Sequence, residues 1–156
     1  MAVGDIKWFA QGLTDLGNKV HSLNNIDTLK LGLVTSVVTP AVNTNGPHFG
    51  GTGSTNLATN QVATGTSYTT GGPALTTVSW ANVSGVPTLR ADNVTIAQDA
   101  ANTTFAARWG IIYNSTDANK RALAYVDLGS DRSISAGSLT LDWSGGNNDI
   151  LTITQS

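Results

Sequence analysis

Residues 108–113, with the sequence Arg-Trp-Gly-Ile-Ile-Tyr, form the strongest strand candidate in the chain. β-branched and aromatic side chains of this kind suit a pleated, half-buried surface. The tetrad Asn-Ser-Thr-Asp at 114–117 follows at once, and these residue types favour a turn. A second apolar stretch, 121–128, begins shortly after it. The pattern predicts a strand, a turn and a returning strand.

Further strand candidates lie on both sides of this pair, with turn signals at intervals of roughly 8–12 residues. Leucine alternates with Lys30 and Gly32 over residues 29–33, the run continues to Val38, and Pro40 ends it. About eight short strands without recurring helical spacing predict an all-β fold, a β-sandwich or a barrel. The other predicted strands span 61–69, 75–83, 86–98 (as one strand or two), 138–143 and 150–154.

The N-terminal segment, 1–25, has a different pattern. Its large apolar residues recur every three or four positions, which predicts a short amphipathic helix within 5–24 and an extended arm around 6–8. Gly12 and Gly17 each weaken a helix by roughly 1 kcal/mol relative to alanine. These apolar residues form a stripe on one face of the helix, and two interpretations are open. The stripe packs on the protein's own sheet, or Trp8 and Phe9 contact a neighbouring subunit. The stripe consists of Ile6, Phe9, Leu13, Leu16, Val20 and Leu23.

The stretch 42–59 is almost entirely Asn, Gly, Thr, Pro and Ser, and Phe49 and Leu57 are its only large apolar residues. A loop of this length in a compact domain is usually functional or mobile. We therefore predict a long polar loop that becomes ordered on a partner.

Composition restricts the function classes. With 156 residues, the chain fits one domain, 1–156, and only 12% of its residues are charged, against about 25% in a typical domain. The net charge of −2 is unlike that of a nucleic-acid binder, and no cysteine is present. We also find neither a signal-peptide pattern nor an apolar run of the roughly 20 residues that a membrane span needs. These observations predict a protein that is made in a cytoplasm and has no nucleic-acid or membrane partner.

Residues that could carry out catalysis are sparse. The two histidines, His21 and His48, are isolated, and the ten acidic residues are all aspartates spread singly along the chain. A calcium site near Asp127 and Asp131 would lack the glutamate that makes the usual loop specific. We therefore predict no catalytic, metal or cofactor site and no enzyme activity. The tryptophans of the predicted strands, 80, 109 and 143, are assigned to the core.

Several stretches together carry a resemblance. They resemble small capsid cement (decoration) proteins of tailed bacteriophages, which have jelly-roll-like folds. Loop 42–59 does not belong to the part that carries this resemblance. The stretches are Gly17–His21, Asp27–Leu31, Ala63–Thr69 with Gly71 and Gly72, Trp109–Asn114, Lys120, the Leu-Asp-Trp strand at 141–143, and Ile150–Ile153.

The resemblance implies a jelly-roll-like β-sandwich on the outer surface of a bacteriophage capsid, synthesised in the bacterial host cytoplasm. It would bind the major capsid protein, as a dimer or trimer, and cement neighbouring subunits through many modest contacts. The alternative function is a carbohydrate-binding tail or head-fibre module, which needs a shallow groove with two or more exposed aromatic residues, for which Trp8 and Tyr68 are candidates. The residues predicted to contact a partner are Ile6, Trp8, Phe9, His48, Phe49 and Leu57.

Overall fold

The structure is a computed structural model that describes residue 4 and residues 6–24, 26–143 and 148–153. Within these ranges the chain is mostly β, which confirms the predicted all-β class. The elements are β1 (Ile6–Trp8), α1 (Ala10–Gly17), β2 (Leu29–Val34), β3 (Pro47–His48), β4 (Thr55–Asn56), a 3-10 helix (Leu57–Asn60), β5 (Ser79–Val83), β6 (Val86–Arg90), β7 (Val94–Ile96), β8 (Ala107–Asn114), β9 (Ala122–Arg132), β10 (Leu139–Leu141) and β11 (Asp149–Thr152).

The largest sheet has four antiparallel strands in the order β1-β9-β8-β2. Its two central strands, β8 and β9, are the strand and returning strand predicted on either side of the turn at 114–117. Both are paired along each edge, and consecutive residues in both are buried, so both faces are covered, which explains why much of their sequence is continuously apolar. The hairpin therefore sets the frame on which the other elements are arranged.

One face of this sheet packs against the smaller sheets. These are β5-β6-β11 and β7-β10, both antiparallel. Their apolar side chains and those of the four-stranded sheet form one buried group, which we call the inner cluster. It includes Leu29, Leu31, Leu33, Leu89, Ile112, Leu123, Val126, Leu141 and Trp143.

The opposite face of the sheet is covered by the segment that was predicted to be a long polar loop. Residues 42–60 contain β3, β4 and the 3-10 helix, and they place Phe49 and Leu57 over β2 and β8. The stretch is mostly turns and bends, as expected of a loop, but it is already packed on the sheet through its two apolar residues. That it becomes ordered on a partner stays a prediction. We call the buried group on this face the outer cluster: Phe9, Val34, Phe49, Leu57, Ile111, Tyr113, Ala122 and Tyr125.

Gly32 explains how Phe49 reaches the sheet. A Cβ atom built on Gly32 would overlap the phenyl ring of Phe49. The missing side chain in β2 therefore leaves the space that the ring occupies. The ring also stacks on Tyr113, with ring centroids 4.7 Å apart.

The N-terminal segment is partly extended, as predicted for residues 6–8, but its helix spans only Ala10–Gly17. The short helix predicted within 5–24 is confirmed, and the chain leaves the helical conformation at Lys19, which is left-handed with a φ of 60°. Gly12 lies against the backbone of Leu123, where a Cβ would overlap it. Gly12 lowers the helix propensity of α1, but its missing side chain lets α1 approach β9. No helix in the described ranges is long and apolar enough to cross a membrane.

Other strand boundaries also differ from the sequence expectation. The predicted strand at 61–69 is absent from the structure: Gln61 makes only an isolated bridge to Val34, and the following residues are irregular. Strand β2 ends at Val34 rather than Val38, because the Thr35 N–H donates to Asn60 outside the sheet. The stretch 86–98 forms two strands. The residues between the last two predicted strands, 144–149, lie mostly outside the described residues.

Candidate functional surfaces

The six residues predicted to contact a partner are not together on one exposed surface. Phe9 is fully buried, and His48, Phe49 and Leu57 are at most 4% exposed. In this structure their side chains serve the protein's own interior, so the expectation that they are free contact residues was wrong. Ile6 and Trp8 are half-buried against the inner cluster, and their contact with a partner stays a prediction.

Strand β1 explains the position of Trp8. The strand pairs with β9 of the same chain, and the indole of Trp8 meets that of Trp80 edge to face with centroids 6.3 Å apart. Its Nε1 is buried and has no hydrogen-bond partner in the described part of the chain. Trp143 is fully buried as expected, whereas Trp80 and Trp109 are only partly buried.

A group of buried polar side chains surrounds Arg121, beside a cleft of about 330 Å³. The guanidinium Nε lies 3.9 Å from Asp15 and 3.8 Å from Asp117. His21 Nδ1 lies 3.1 Å from the amide nitrogen of Asn114, which donates to Asp27 at 2.6 Å. These residues are far apart along the chain, so the sequence does not show that they meet.

Burial and the neighbouring carboxylates set the protonation state of the histidine in this group. Burial lowers the pKa of His21, and the carboxylates of Asp15, Asp117 and Asp27 only partly oppose that shift. The imidazole is therefore neutral near pH 7. Among the described residues, no three His, Asp or Glu side chains are placed to hold a metal ion. Asp127, considered for calcium, instead pairs with Arg108 at 3.0 Å and accepts from the Gly129 N–H.

A second cleft, of about 410 Å³, lies on the outer side of β9. Trp109 and Tyr125 line it, with ring centroids 6.2 Å apart, together with Lys7 and Pro40. The guanidinium of Arg108 lies 5.0 Å from the centroid of Trp109. Tyr125 is almost completely buried, so Trp109 is the more accessible of the two rings.

The third cleft, of about 420 Å³, lies where the 47–61 segment meets β2 and β8. Two lysines, Lys30 and Lys120, line it, and the stacked Phe49 and Tyr113 also contribute to its wall. No ion pair of either lysine is found within the described ranges. This cleft cannot be recognised in the sequence, because the two lysines are 90 positions apart and only the fold brings them to one cleft.

Three large apolar side chains are exposed on α1 and on either side of Pro40, which lines the second cleft. Val37 is 79% exposed, Val42 48% and Leu13 40%. Val42 accepts a hydrogen bond at 2.8 Å from the N–H of Ala10, the first residue of α1, and α1 carries Leu13. We call these three residues the apolar strip.

Comparison with known proteins gives no relative: no protein-family model matches the chain, and no curated protein or solved structure is significantly similar to it.

Proposed function

We propose that this chain is a structural virion protein that binds the outer surface of a bacteriophage capsid and cements neighbouring major capsid subunits. It is made in the host cytoplasm, acts as a dimer or trimer, and uses a jelly-roll-like β-sandwich as a rigid block. The resemblance of its sequence to decoration proteins motivates this proposal. The exposure of the apolar strip is the observation that carries it, because exposed apolar side chains on ordered segments are typical of protein contact surfaces.

The way the strip is held also supports a contact role. Val38, next to Val37, packs against the outer cluster, and the hydrogen bond from Ala10 holds Val42 beside α1. A contact surface that is already ordered loses little conformational entropy on binding. Modest contacts of this kind suffice on a shell, because many copies bind at once.

Sedimentation with bare capsids of the phage that encodes the chain tests this function. We expect the wild-type protein to pellet with the capsids. The double variant Val37→Asp/Val42→Asp should bind at least about tenfold more weakly, because it places charges in an apolar contact. Ile26→Asp is the matched control, since Ile26 is 74% exposed and lies outside the strip.

Two results would contradict the proposal: wild-type protein that stays in the supernatant, or a strip variant that pellets as well as Ile26→Asp does. Sedimentation equilibrium of the protein alone gives its oligomeric state, and a strict monomer would contradict the dimer or trimer.

A carbohydrate-binding tail or head-fibre module is the second candidate. The cleft with Trp109, Tyr125, Lys7 and Asp127 favours it, because aromatic faces beside charged groups suit sugar rings and hydroxyls. Tyr68, suggested for this role by the sequence, is 1% exposed and belongs to the inner cluster. Strong glycan-array binding by a protein that ignores capsids would favour this function over the first.

A further inference from the structure

Strand β5 has a neighbouring strand on one side only. It pairs with β6, and outside that pairing Ser79–Val83 make no main-chain hydrogen bond within the described ranges. Its sequence, Ser-Trp-Ala-Asn-Val, has no charged residue and no proline, and its pairing has no register shift. Charges, prolines and bulges are the usual features that keep an edge strand from pairing with another chain, and β5 has none of them.

The other long edge of the fold is already occupied. Along β2, the irregular segment 60–75 forms main-chain hydrogen bonds with the strand, such as the one from the Leu31 N–H to the Pro73 carbonyl at 3.0 Å. Apart from β2 and β5, the strands at sheet edges in the described ranges are at most three residues long or carry a charged side chain, as β11 does with Asp149. The fold therefore leaves β5 as its one long, uncharged and open edge among the described strands.

The turn between β5 and β6 determines which main-chain groups point to the open edge. Ser84 and Gly85 both have positive φ, 52° and 89°, which is typical of a two-residue type I′ hairpin. Val83 and Val86 close this hairpin as a hydrogen-bonded pair. Hydrogen-bonded and non-hydrogen-bonded positions alternate from there along the strand, so every second residue of β5 directs its N–H and C=O away from β6.

Trp80 and Asn82 are the residues of β5 whose main-chain groups point outward. Asn82 lies opposite Pro87, which has no N–H to donate, and this agrees with a non-hydrogen-bonded position. The two residues are placed symmetrically on either side of Ala81, whose side chain is small and exposed. This arrangement is self-complementary for an antiparallel strand with the same sequence.

We infer that β5 pairs with β5 of a second copy of this chain, antiparallel and with Ala81 on the two-fold axis. Trp80 of each copy then lies opposite Asn82 of the other, and each of these two equivalent pairs exchanges two main-chain hydrogen bonds. The two three-stranded sheets become one continuous sheet across the axis. Because the same edge is used on both copies, the contact closes as a dimer.

This interface rests on the dimer in the proposed function and deepens it, but it does not depend on capsid binding. Five residues on each side bury less than a standard stable interface does, so we expect a weak dimer with a dissociation constant of about 10–100 µM. A weak dimer is sufficient on a shell, where many copies bind at once.

The test places opposite charges at the two-fold axis. In the proposed dimer each Ala81 lies directly opposite Ala81 of the second copy, so Ala81→Lys and Ala81→Asp each bring two like charges together. Sedimentation equilibrium at low ionic strength should show dimerisation weakened about tenfold or more in either variant alone. Thr104→Lys, a change at an exposed residue outside β5, should dimerise as the wild type does.

Mixing the two variants separates this interface from any other and from a folding defect. Fluorescently labelled Ala81→Asp should form a heterodimer with Ala81→Lys at least as tightly as the wild type dimerises, because only a residue on the two-fold axis meets its own copy. A mixture that associates no better than either variant alone overturns the interface. A wild-type protein that is strictly monomeric at about 0.5 mM, or one that forms a trimer, also overturns it.

One further result distinguishes this interface from the function it deepens. A wild-type dimer that Ala81→Lys leaves unchanged overturns pairing through β5, while the dimer of the proposed function stands. Capsid binding is measured separately, by the sedimentation with bare capsids described above.

Discussion

The hydroxyl of Tyr68 shows how single polar atoms hold the irregular segment after β4. It accepts a hydrogen bond from the Leu33 N–H at 2.8 Å, inside the inner cluster, and its ring meets Phe105 edge to face. Burial raises the pKa of Tyr68, so the hydroxyl stays protonated at any ordinary pH. Tyr68, which the sequence suggests for sugar binding because it is aromatic, is therefore a packing residue. Its hydroxyl ties residues 61–75 to the edge of β2.

Tyr68→Phe should lower the free energy of unfolding by about 1–3 kcal/mol, because it leaves the buried Leu33 N–H without an acceptor. Tyr113→Phe is the matched control. It also removes one hydroxyl, but from the wall of an open cleft, where water can replace it at the Gly71 carbonyl. Urea denaturation measures both. Equal losses in the two variants would contradict the role given to the Tyr68 hydroxyl.

At the scale of elements, the covering segment 42–60 depends on a gap in β2. Phe49 fills the space above Gly32, and the Phe49 N–H donates to the Lys120 carbonyl at 2.9 Å, which ties the segment to the start of β9. The segment thus joins the sheet through two apolar side chains, Phe49 and Leu57, and through main-chain hydrogen bonds. Its many Asn, Gly and Thr residues shape the turns between those contacts, as when Asn56 accepts from the Gly50 and Ala58 N–H groups.

Gly32→Ala should destabilise the protein by about 1–3 kcal/mol, the usual cost of overpacking a filled site. Gly17→Ala is the control, since a Cβ there meets no atom within 4 Å, and it should be neutral or slightly stabilising. The cost of Gly32→Ala should shrink in a Phe49→Ala background, because the ring that it displaces is gone. A double-mutant cycle by urea denaturation measures this coupling. A cost that is the same in both backgrounds would show that Phe49 does not fill this space.

At the scale of the whole molecule, the four-stranded sheet is buried on both faces. Ile111 and Ile112 are neighbours in β8, both fully buried, yet Ile111 belongs to the outer cluster and Ile112 to the inner cluster. The covering segment and the small sheets therefore stabilise the same pair of central strands. A protein built in this way should unfold as one unit.

Ile111→Ala and Ile112→Ala should each cost about 2–5 kcal/mol, as is usual for truncating a buried isoleucine, and both should shift one common transition. Tryptophan fluorescence and far-UV circular dichroism should give the same midpoint for each variant. A small cost for Ile111→Ala alone would show that the covering segment is only loosely held. Two separate transitions would contradict unfolding as one unit.

Local sequence determined the class of fold and its central hairpin. The alternation in 29–33 and the turn residues at 114–117 act through the two-residue period of a strand and through short-range hydrogen bonds. These are local effects, so they can be recognised without any knowledge of distant residues. The strands β2, β8 and β9 accordingly lie close to where the sequence predicts them.

Only the tertiary structure decided which surfaces are free. The sequence marks Phe49 and Leu57 as rare apolar residues in a polar stretch, and that pattern fits both an exposed contact and a buried anchor. The choice depends on Gly32 and β8, which meet the stretch only after the chain has folded. The clefts and the apolar strip likewise combine residues from distant segments, because exposure and charge pairing are properties of the packed surface.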